Sequence, residues 1–170
     1  MNEIIYRIAK TKEAMEIYSL MKLVHEQMED QTLYVCDDLA FVQEHLSEKG
    51  FGLVATSGEQ LAGCLLVRFP QMEEDNLGWD IGLPESELCH VAHMESVVVH
   101  PDFRGRGIQL KLLQKAEEVL KKNHYQYLMA TVAPKNVASI RSFEKNGYQC
   151  VKIKEKYGGF LRRIYLKKFH

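Results

Sequence analysis

Along the chain, apolar positions change period between two and 3.6, and each change marks a new element. Ile4 to Ala9 alternates weakly and predicts a first strand. Ala14, Met15, Ile17, Tyr18, Met21, Leu23 and Val24 recur at helical spacing, with Thr11 the expected N-cap. His25 to Asp38 holds Glu26, Glu29, Asp30, Asp37 and Asp38 with no lysine or arginine, and reads as a solvated loop. A short helix over Leu39 to Ser47 is expected to end at Gly50 as a left-handed cap. Phe51 to Thr56 and Gln60 to Phe69 predict a hairpin turning at Ser57-Gly58-Glu59. Periodicity lapses from Pro70 to Glu87, a stretch whose full charges are all acidic and in which Trp79 is expected to pack the loop down. Leu88 to Val99 predicts the central strand, and Ile108 to Lys122 a long helix. Tyr125 to Val132 follows as a strand, then a helix over Val137 to Lys145 closed by Asn146-Gly147. Tyr148 to Lys156 and Leu161 to Lys167 form a last hairpin through Tyr157-Gly158-Gly159. With no internal repeat, linker or low-complexity tract, residues 1–170 read as one mixed α/β domain.

Composition narrows the class. At 170 residues and 46% hydrophobic, the chain can bury a sizeable core. No apolar run approaches the roughly 18 residues that a membrane span needs, and Met1 to Lys12 lacks the apolar core of a signal peptide. A cytoplasmic protein with no membrane partner is the expectation. Cys36, Cys64, Cys89 and Cys150 are scattered without metal-ligand spacing and read as reduced, mostly buried small hydrophobes, so no metal is expected. Residues 1–99 hold 6 Lys/Arg against 18 Asp/Glu, and residues 100–170 hold 16 against 5. Either the two halves attract each other, or the basic half receives a polyanion and the acidic half a cation. Nucleic acid is disfavoured as that polyanion, since no aromatic-interleaved basic stripe accompanies the charge.

The chemistry concentrates where the central strand ends. Ser96-Val97-Val98-Val99 is stopped by His100-Pro101, because proline cannot donate to a sheet ladder. Arg104-Gly105-Arg106-Gly107-Ile108-Gln109 then leads into a helix carrying Leu110, Leu112 and Leu113. Glycines let the unpaired amides of the helix start converge on one point, and the helix dipole and two arginines add positive charge there. That combination is an anion cradle. It lacks the Gly-Lys-Ser/Thr of a Walker A loop, and Leu110 stands where a Rossmann fingerprint needs its third glycine.

The hexapeptide resembles the pyrophosphate loop of the GNAT superfamily of acyl-CoA-dependent N-acetyltransferases, Arg/Gln-x-x-Gly-x-Gly/Ala, matched by Arg104 and Gly107 but not by Gln109. A second stretch, Asn136 to Tyr148, resembles the superfamily's Asn-x-x-Ala/Ser-x-x-x-Tyr-Glu-x-x-Gly-Phe/Tyr segment. The resemblance implies a single N-acetyltransferase domain: a mixed, mostly antiparallel sheet of about seven strands flanked by about four helices, with the strand ending at Val99 splayed from the one ending near Val132. It implies acetyl-CoA as co-substrate, with the backbone of Val97, Val98 and Val99 pairing with pantetheine. The amides of Arg104, Gly105, Arg106, Gly107, Ile108, Gln109 and Leu110 would hold the pyrophosphate, and Asn136 and Ser139 would contact the cofactor. Composition alone equally makes Asn136 a helix N-cap. Phe143 departs from the pattern: many members carry tyrosine there, whose hydroxyl is proposed to protonate the departing thiolate. Water, Ser142, another hydroxyl or unaided departure must then serve.

Amide formation from a thioester needs the amine as free base and a donor for the developing oxyanion. Strict alternation places Val91, His93, Glu95 and Val97 on one face of the central strand, and His90, Ala92, Met94 and Ser96 on the other. The resemblance makes Glu95 the first candidate for the base and the Val97 amide the oxyanion donor. His93 is the second candidate, with an ordinary pKa near neutrality. A purely structural His93–Glu95 pair is the alternative. The expected reaction is acetyl transfer to a primary amine, on a small molecule or on a lysine or N-terminus, with a cationic acceptor if the two acidic loops line its entrance. A non-catalytic acyl-CoA sensor is the rival reading. Edge strands of such a domain commonly pair into homodimers.

Overall fold

A computed structural model describes residues 2–169. Its strands are β1 (Ile4–Ile8), β2 (Gly50–Ser57), β3 (Gln60–Arg68), β4 (Val91–Val99), β5 (Tyr127–Val132), β6 (Gln149–Lys156) and β7 (Phe160–Lys168). Its helices are α1 (Ala14–Gln27), α2 (Leu39–His45), α3 (Glu85–Leu88), α4 (Ile108–Lys122) and α5 (Val137–Lys145). The strands form one sheet in the order β1-β2-β3-β4-β5-β7-β6. All neighbours are antiparallel except β4 and β5, which run parallel across the α4 crossover.

Two apolar layers sandwich this sheet. Leu112, Leu113, Ala116 and Leu120 of α4 pack with Leu65, Val67, Ala92, Met94 and Leu128 on one face, where Phe143 of α5 joins them. Ile17, Leu20, Met21 and Val24 of α1 pack with Val54, Cys64, Leu66 and Val98 on the other. At about 1.5–3 kcal/mol per buried large aliphatic side chain, these layers are the main source of stability. A buried polar cluster fixes α5 to the sheet: Glu117 accepts from Asn146 Nδ2 at 2.7 Å and from Lys167 Nζ at 3.0 Å.

Two features of β4 position the site. The ladder to β5 lasts three pairs, Val91↔Tyr127, Ala92↔Leu128 and His93↔Met129, after which the strands diverge. The expected splay is therefore present, and beyond His93 the β5-facing edge of β4 is open. Opposite β3, Met94 pairs with Val67 and Ser96 with Leu66, so Glu95 is the extra residue of a β-bulge. The bulge corrects the strict alternation. Val97 and Val99 pack toward α4 with Ala92 and Met94, whereas Val98 packs toward α1.

Other expectations are corrected. Thr11 is not the α1 N-cap: it opens a 3-10 turn, Thr11–Glu13, capped at Lys10, and α1 follows from Ala14. Gly50 is not a left-handed cap but the first residue of β2. A Cβ there would stand 1.9 Å from the Val67 carbonyl oxygen, so close strand approach is what requires glycine. Leu88 belongs to α3, leaving β4 to begin at Val91. All four cysteines are free, but Cys89 and Cys150 are exposed and Cys36 half-buried; Cys64 alone is fully buried. No helix among the described residues is long and apolar enough to cross a membrane.

Candidate active site

After β4, a 3-10 turn over Pro101–Phe103 hands the chain to the glycine turn. Gly105 and Gly107 adopt φ of 78° and 71°, and a Cβ at either would meet nothing within 4 Å. Open space over a left-handed backbone is what a ligand-facing turn provides. Lys111 is the first α4 amide bonded to a backbone carbonyl, that of Gly107 at 3.0 Å, so the amides ahead of it are left to a ligand. α5 begins alongside, with Asn136 accepting from the Ser139 amide at 3.3 Å. The N-cap reading of Asn136 thus holds geometrically while its side chain still faces the cleft.

A groove of about 700 Å³ runs from the open edge of β4 across this turn to α5. Val97, Val98, Val99, Arg104, Gly105, Gly107, Ile108, Gln109, Leu110, Asn136 and Ser139 all line it, so the structure brings together eleven of the twelve residues expected to hold a cofactor. Arg106 is outside that wall, its guanidinium 5.1 Å from the Phe103 ring centroid. Gln109, where the pattern has a small residue, crosses to α5 and donates to Ser139 Oγ at 3.0 Å. A ligand with a pantetheine arm and a diphosphate fits the open strand edge and the unpaired amides in sequence. The Gln109 side chain bridges α4 and α5 at the wall of this groove.

The groove meets a second, polar space where β4 and β5 part. Glu95, Thr131 and Tyr157 line both small cavities there, of about 130 and 60 Å³. His93 is 3% exposed and engaged at both nitrogens: Nε2 accepts from the Leu77 amide at 3.0 Å, and Nδ1 lies 3.5 Å from Glu95 Oε2. An Nε2 that accepts leaves Nδ1 as the protonated nitrogen, directed at the carboxylate. Burial pushes the Glu95 carboxyl up, but His93 beside it and Arg68 nearby outweigh that and hold it below the ordinary carboxylate range. It therefore stays ionised.

Three side chains here carried no sequence signal. Asp37, in the segment expected to be a solvated loop, accepts from Ser96 Oγ at 2.8 Å. Its carboxyl is pushed up to about 7, first by burial, then by the charges of Glu95 and Asp38, against the Ser96 hydrogen bond and Arg68. Tyr34 lines both the groove and the smaller cavity, and its buried hydroxyl has no hydrogen-bond partner among the described residues. Tyr157, in the β6–β7 turn at φ 53°, shares a 2.7 Å hydrogen bond with Thr131, and burial with the charge of Glu95 raises its phenol to about 12. The bond joining Ser96 to Asp37 spans 59 positions, so only the folded chain shows it.

Charge accounting also corrects one acidic loop. Between Pro70 and Glu87, Glu73 and Asp75 bind Arg68, while Asp80 is clasped by Lys154 and Lys156. Those acids neutralise basic side chains of the protein itself, and Asp75 does so while lining the larger of the two small cavities. Trp79 is 40% exposed and donates its indole N–H to the Glu73 carbonyl at 3.2 Å. Glu95 is left as the ionised carboxylate that lines both small cavities.

An open strand edge running into a glycine turn at a helix start makes a cleft suited to an extended ligand with an anionic end. The acetyltransferase (GNAT) family profile matches residues 12–148, and the chain belongs to that family. Over 78 residues it is 35% identical to an uncharacterised N-acetyltransferase of Methanocaldococcus jannaschii; the match covers 46% of this chain and a third of that protein. A GNAT-family acetyltransferase from Streptococcus pneumoniae superposes with a TM-score of 0.73 at 18% identity, covering 99% of this chain and 100% of that one. Arabidopsis thaliana NAA60, solved in complex with acetyl-CoA, gives 0.74 at 14% identity over 98% and 100% of the two chains. At these identities the structural likeness establishes the fold.

Proposed function

We propose that the chain moves an acetyl group from acetyl-CoA to a primary amine by direct attack. What carries the reading is continuity: β4 opens toward β5 at His93, and its free edge leads through Val99 into unpaired amides at Arg104–Leu110. A diphosphate held at that turn lays its pantetheine arm along Val97–Val99 and brings the thioester to the bulge. The solved acetyl-CoA complex of NAA60 supports the choice of co-substrate.

The chain's own residues then divide the work. Main-chain donors and the α4 dipole hold the phosphates, with Arg104 adding charge. Glu95, kept ionised and oriented by His93, draws the ammonium form of the acceptor and takes its proton, directly or through water. His93 is a positioning residue in this scheme, both its nitrogens being occupied. The Val97 amide supplies the oxyanion donor. Ionised Glu95 beside the thioester position favours a cationic acceptor such as a polyamine, an amino sugar or a lysine side chain.

A second reading, an acyl-CoA sensor without catalysis, draws on Phe143, which is 2% exposed and packed against Tyr148 and Tyr165 with no hydroxyl to offer. Calorimetry with coenzyme A followed by an amine panel with acetyl-CoA, read as released thiol, separates the two. Binding with turnover of cationic amines is expected. Binding with no thiol release across the panel refutes transfer, and no binding at all refutes both readings.

A further inference from the structure

Phe143 leaves the departing sulfur without the usual hydroxyl, and the opposite wall of the cleft offers another. Tyr34, on the segment between α1 and α2, is the one described residue lining both the cofactor groove and the smaller acceptor cavity. Its hydroxyl is buried and unpartnered. A buried hydroxyl that meets no partner at full hydrogen-bond geometry is free to turn to one entering the groove. The neighbouring group that acts on it is the Ser96 hydroxyl, which donates in turn to Asp37 Oδ2 at 2.8 Å. Asp37 shares its cavity with Glu95.

Resting on the acetyl-transfer reading, we propose that Tyr34 is the acid that protonates the departing thiolate, resupplied through Ser96 from the Asp37–Glu95 carboxylate pair. The nitrogen lone pair forms the C–N bond as the C–S bond breaks, and the bonding electrons leave on sulfur. Tyr34 gives its proton to sulfur, Ser96 gives its own to Tyr34, and protonated Asp37 replaces that of Ser96. The proton that nitrogen loses on forming the amide enters the carboxylate pair, and the one Glu95 took earlier from the ammonium passes to solvent, so the pair ends the cycle as it began. A serine hydroxyl donates and accepts equally well, so the Ser96–Asp37 bond simply reverses when Asp37 is protonated.

Acid strengths agree with this direction. Burial raises the Tyr34 phenol well above its ordinary value, so alone it is a weaker acid than a thiol. Asp37 at about 7 is a stronger acid than a thiol of about 8.5. Transfer is favourable from the relay as a whole and unfavourable from an isolated tyrosine. Ser96 and Asp37 are thus positioning and proton-supplying groups, and Tyr34 is the one that touches sulfur.

Two measurements test this, and the first needs no acceptor. Coenzyme A is bound to the wild-type protein, Tyr34→Phe and Ser96→Ala, and the bound thiol is titrated by its ultraviolet thiolate absorbance. A donor facing sulfur stabilises the thiolate, so Tyr34→Phe is expected to raise the thiol's pKa by about one unit, and Ser96→Ala by less. With a cationic amine from the panel, Tyr34→Phe is expected to lower kcat about 10- to 100-fold, with KM for acetyl-CoA within about twofold. Ser96→Ala is expected to add little on top of it. Identical thiol titrations in wild type and Tyr34→Phe, with coenzyme A still bound, overturn the relay and leave the acetyl-transfer reading standing. Failure of the wild type to bind coenzyme A overturns that reading itself.

Discussion

Replacing Asp37 by asparagine should stabilise the protein, and the gain should appear only as pH rises. The amide introduced by Asp37→Asn keeps an oxygen to accept from Ser96 while removing a charge that burial, Glu95 and Asp38 oppose. The folded-state pKa of Asp37 is raised from 3.8 to about 7, so between those values the folded wild type holds more protons than the unfolded chain. Wild-type stability is therefore fully present below about pH 4 and is lost as pH rises through about 7. At about 1.4 kcal/mol per unit, the shift sets a ceiling near ~4 kcal/mol. Remaining solvent contact and relaxation around the carboxyl halve it to about 2 kcal/mol. For a chain of this size that is a rise in Tm of about 4–8 °C. Thermal melts of both proteins across the range supply the difference, in which every carboxylate common to the two cancels. The expected curve is flat near zero at about pH 4, climbs to about pH 7 and levels off. A constant difference, or an Asp37→Asn protein less stable than wild type at alkaline pH, refutes the buried-charge assignment.

Three further outcomes follow from the same geometry. Glu95→Gln should lower kcat about 10²–10⁴-fold while coenzyme A affinity is unchanged, since only the proton acceptor is lost; an unaltered kcat on a cationic amine removes Glu95 from the chemistry. Arg104→Ala should weaken coenzyme A binding about tenfold and flatten its salt dependence while pantetheine binding is unaffected, as calorimetry at two ionic strengths would show. Gly50→Ala should cost more than about 3 kcal/mol in urea unfolding, because its Cβ would lie 1.9 Å from the Val67 carbonyl oxygen and the strands would have to part; a near-neutral variant contradicts the β2–β3 register.

Local signals were read well where the chemistry is local. Gly105 and Gly107 mark a turn because their own backbones need positive φ, and Asn146-Gly147 closes α5 for the same reason, Gly147 having φ 88°. Gly50 misled because nothing local distinguishes a glycine that caps a helix from one that admits a neighbouring strand. The acidic segment after α1 misled because its partners are remote. Asp37 finds Ser96 on β4, and Arg162 of β7 donates to the Thr32 carbonyl. The charge division had two open explanations, and the pairing of Asp80 with Lys154 and Lys156 shows attraction between the halves operating across the fold.

The bulge at Glu95 is the feature that no pattern of apolar positions could announce, because it exists only against β3. Its consequences reach both sides of the sheet. Under unbroken alternation Ser96 would join Ala92 and Met94 against α4, burying a hydroxyl in an apolar layer, and Val97 would share the face of His93. The extra residue turns Ser96 toward Asp37, returns Val97 and Val99 to the α4 layer, and leaves Glu95 beside His93 at the point where β5 departs. One inserted position therefore decides which carboxylates and hydroxyls meet at the strand opening. Deleting Glu95 outright would remove the proton acceptor and the bulge together, yet leave Ser96 facing Asp37 and Val97 facing α4, because Met94 and Ser96 already oppose consecutive residues of β3.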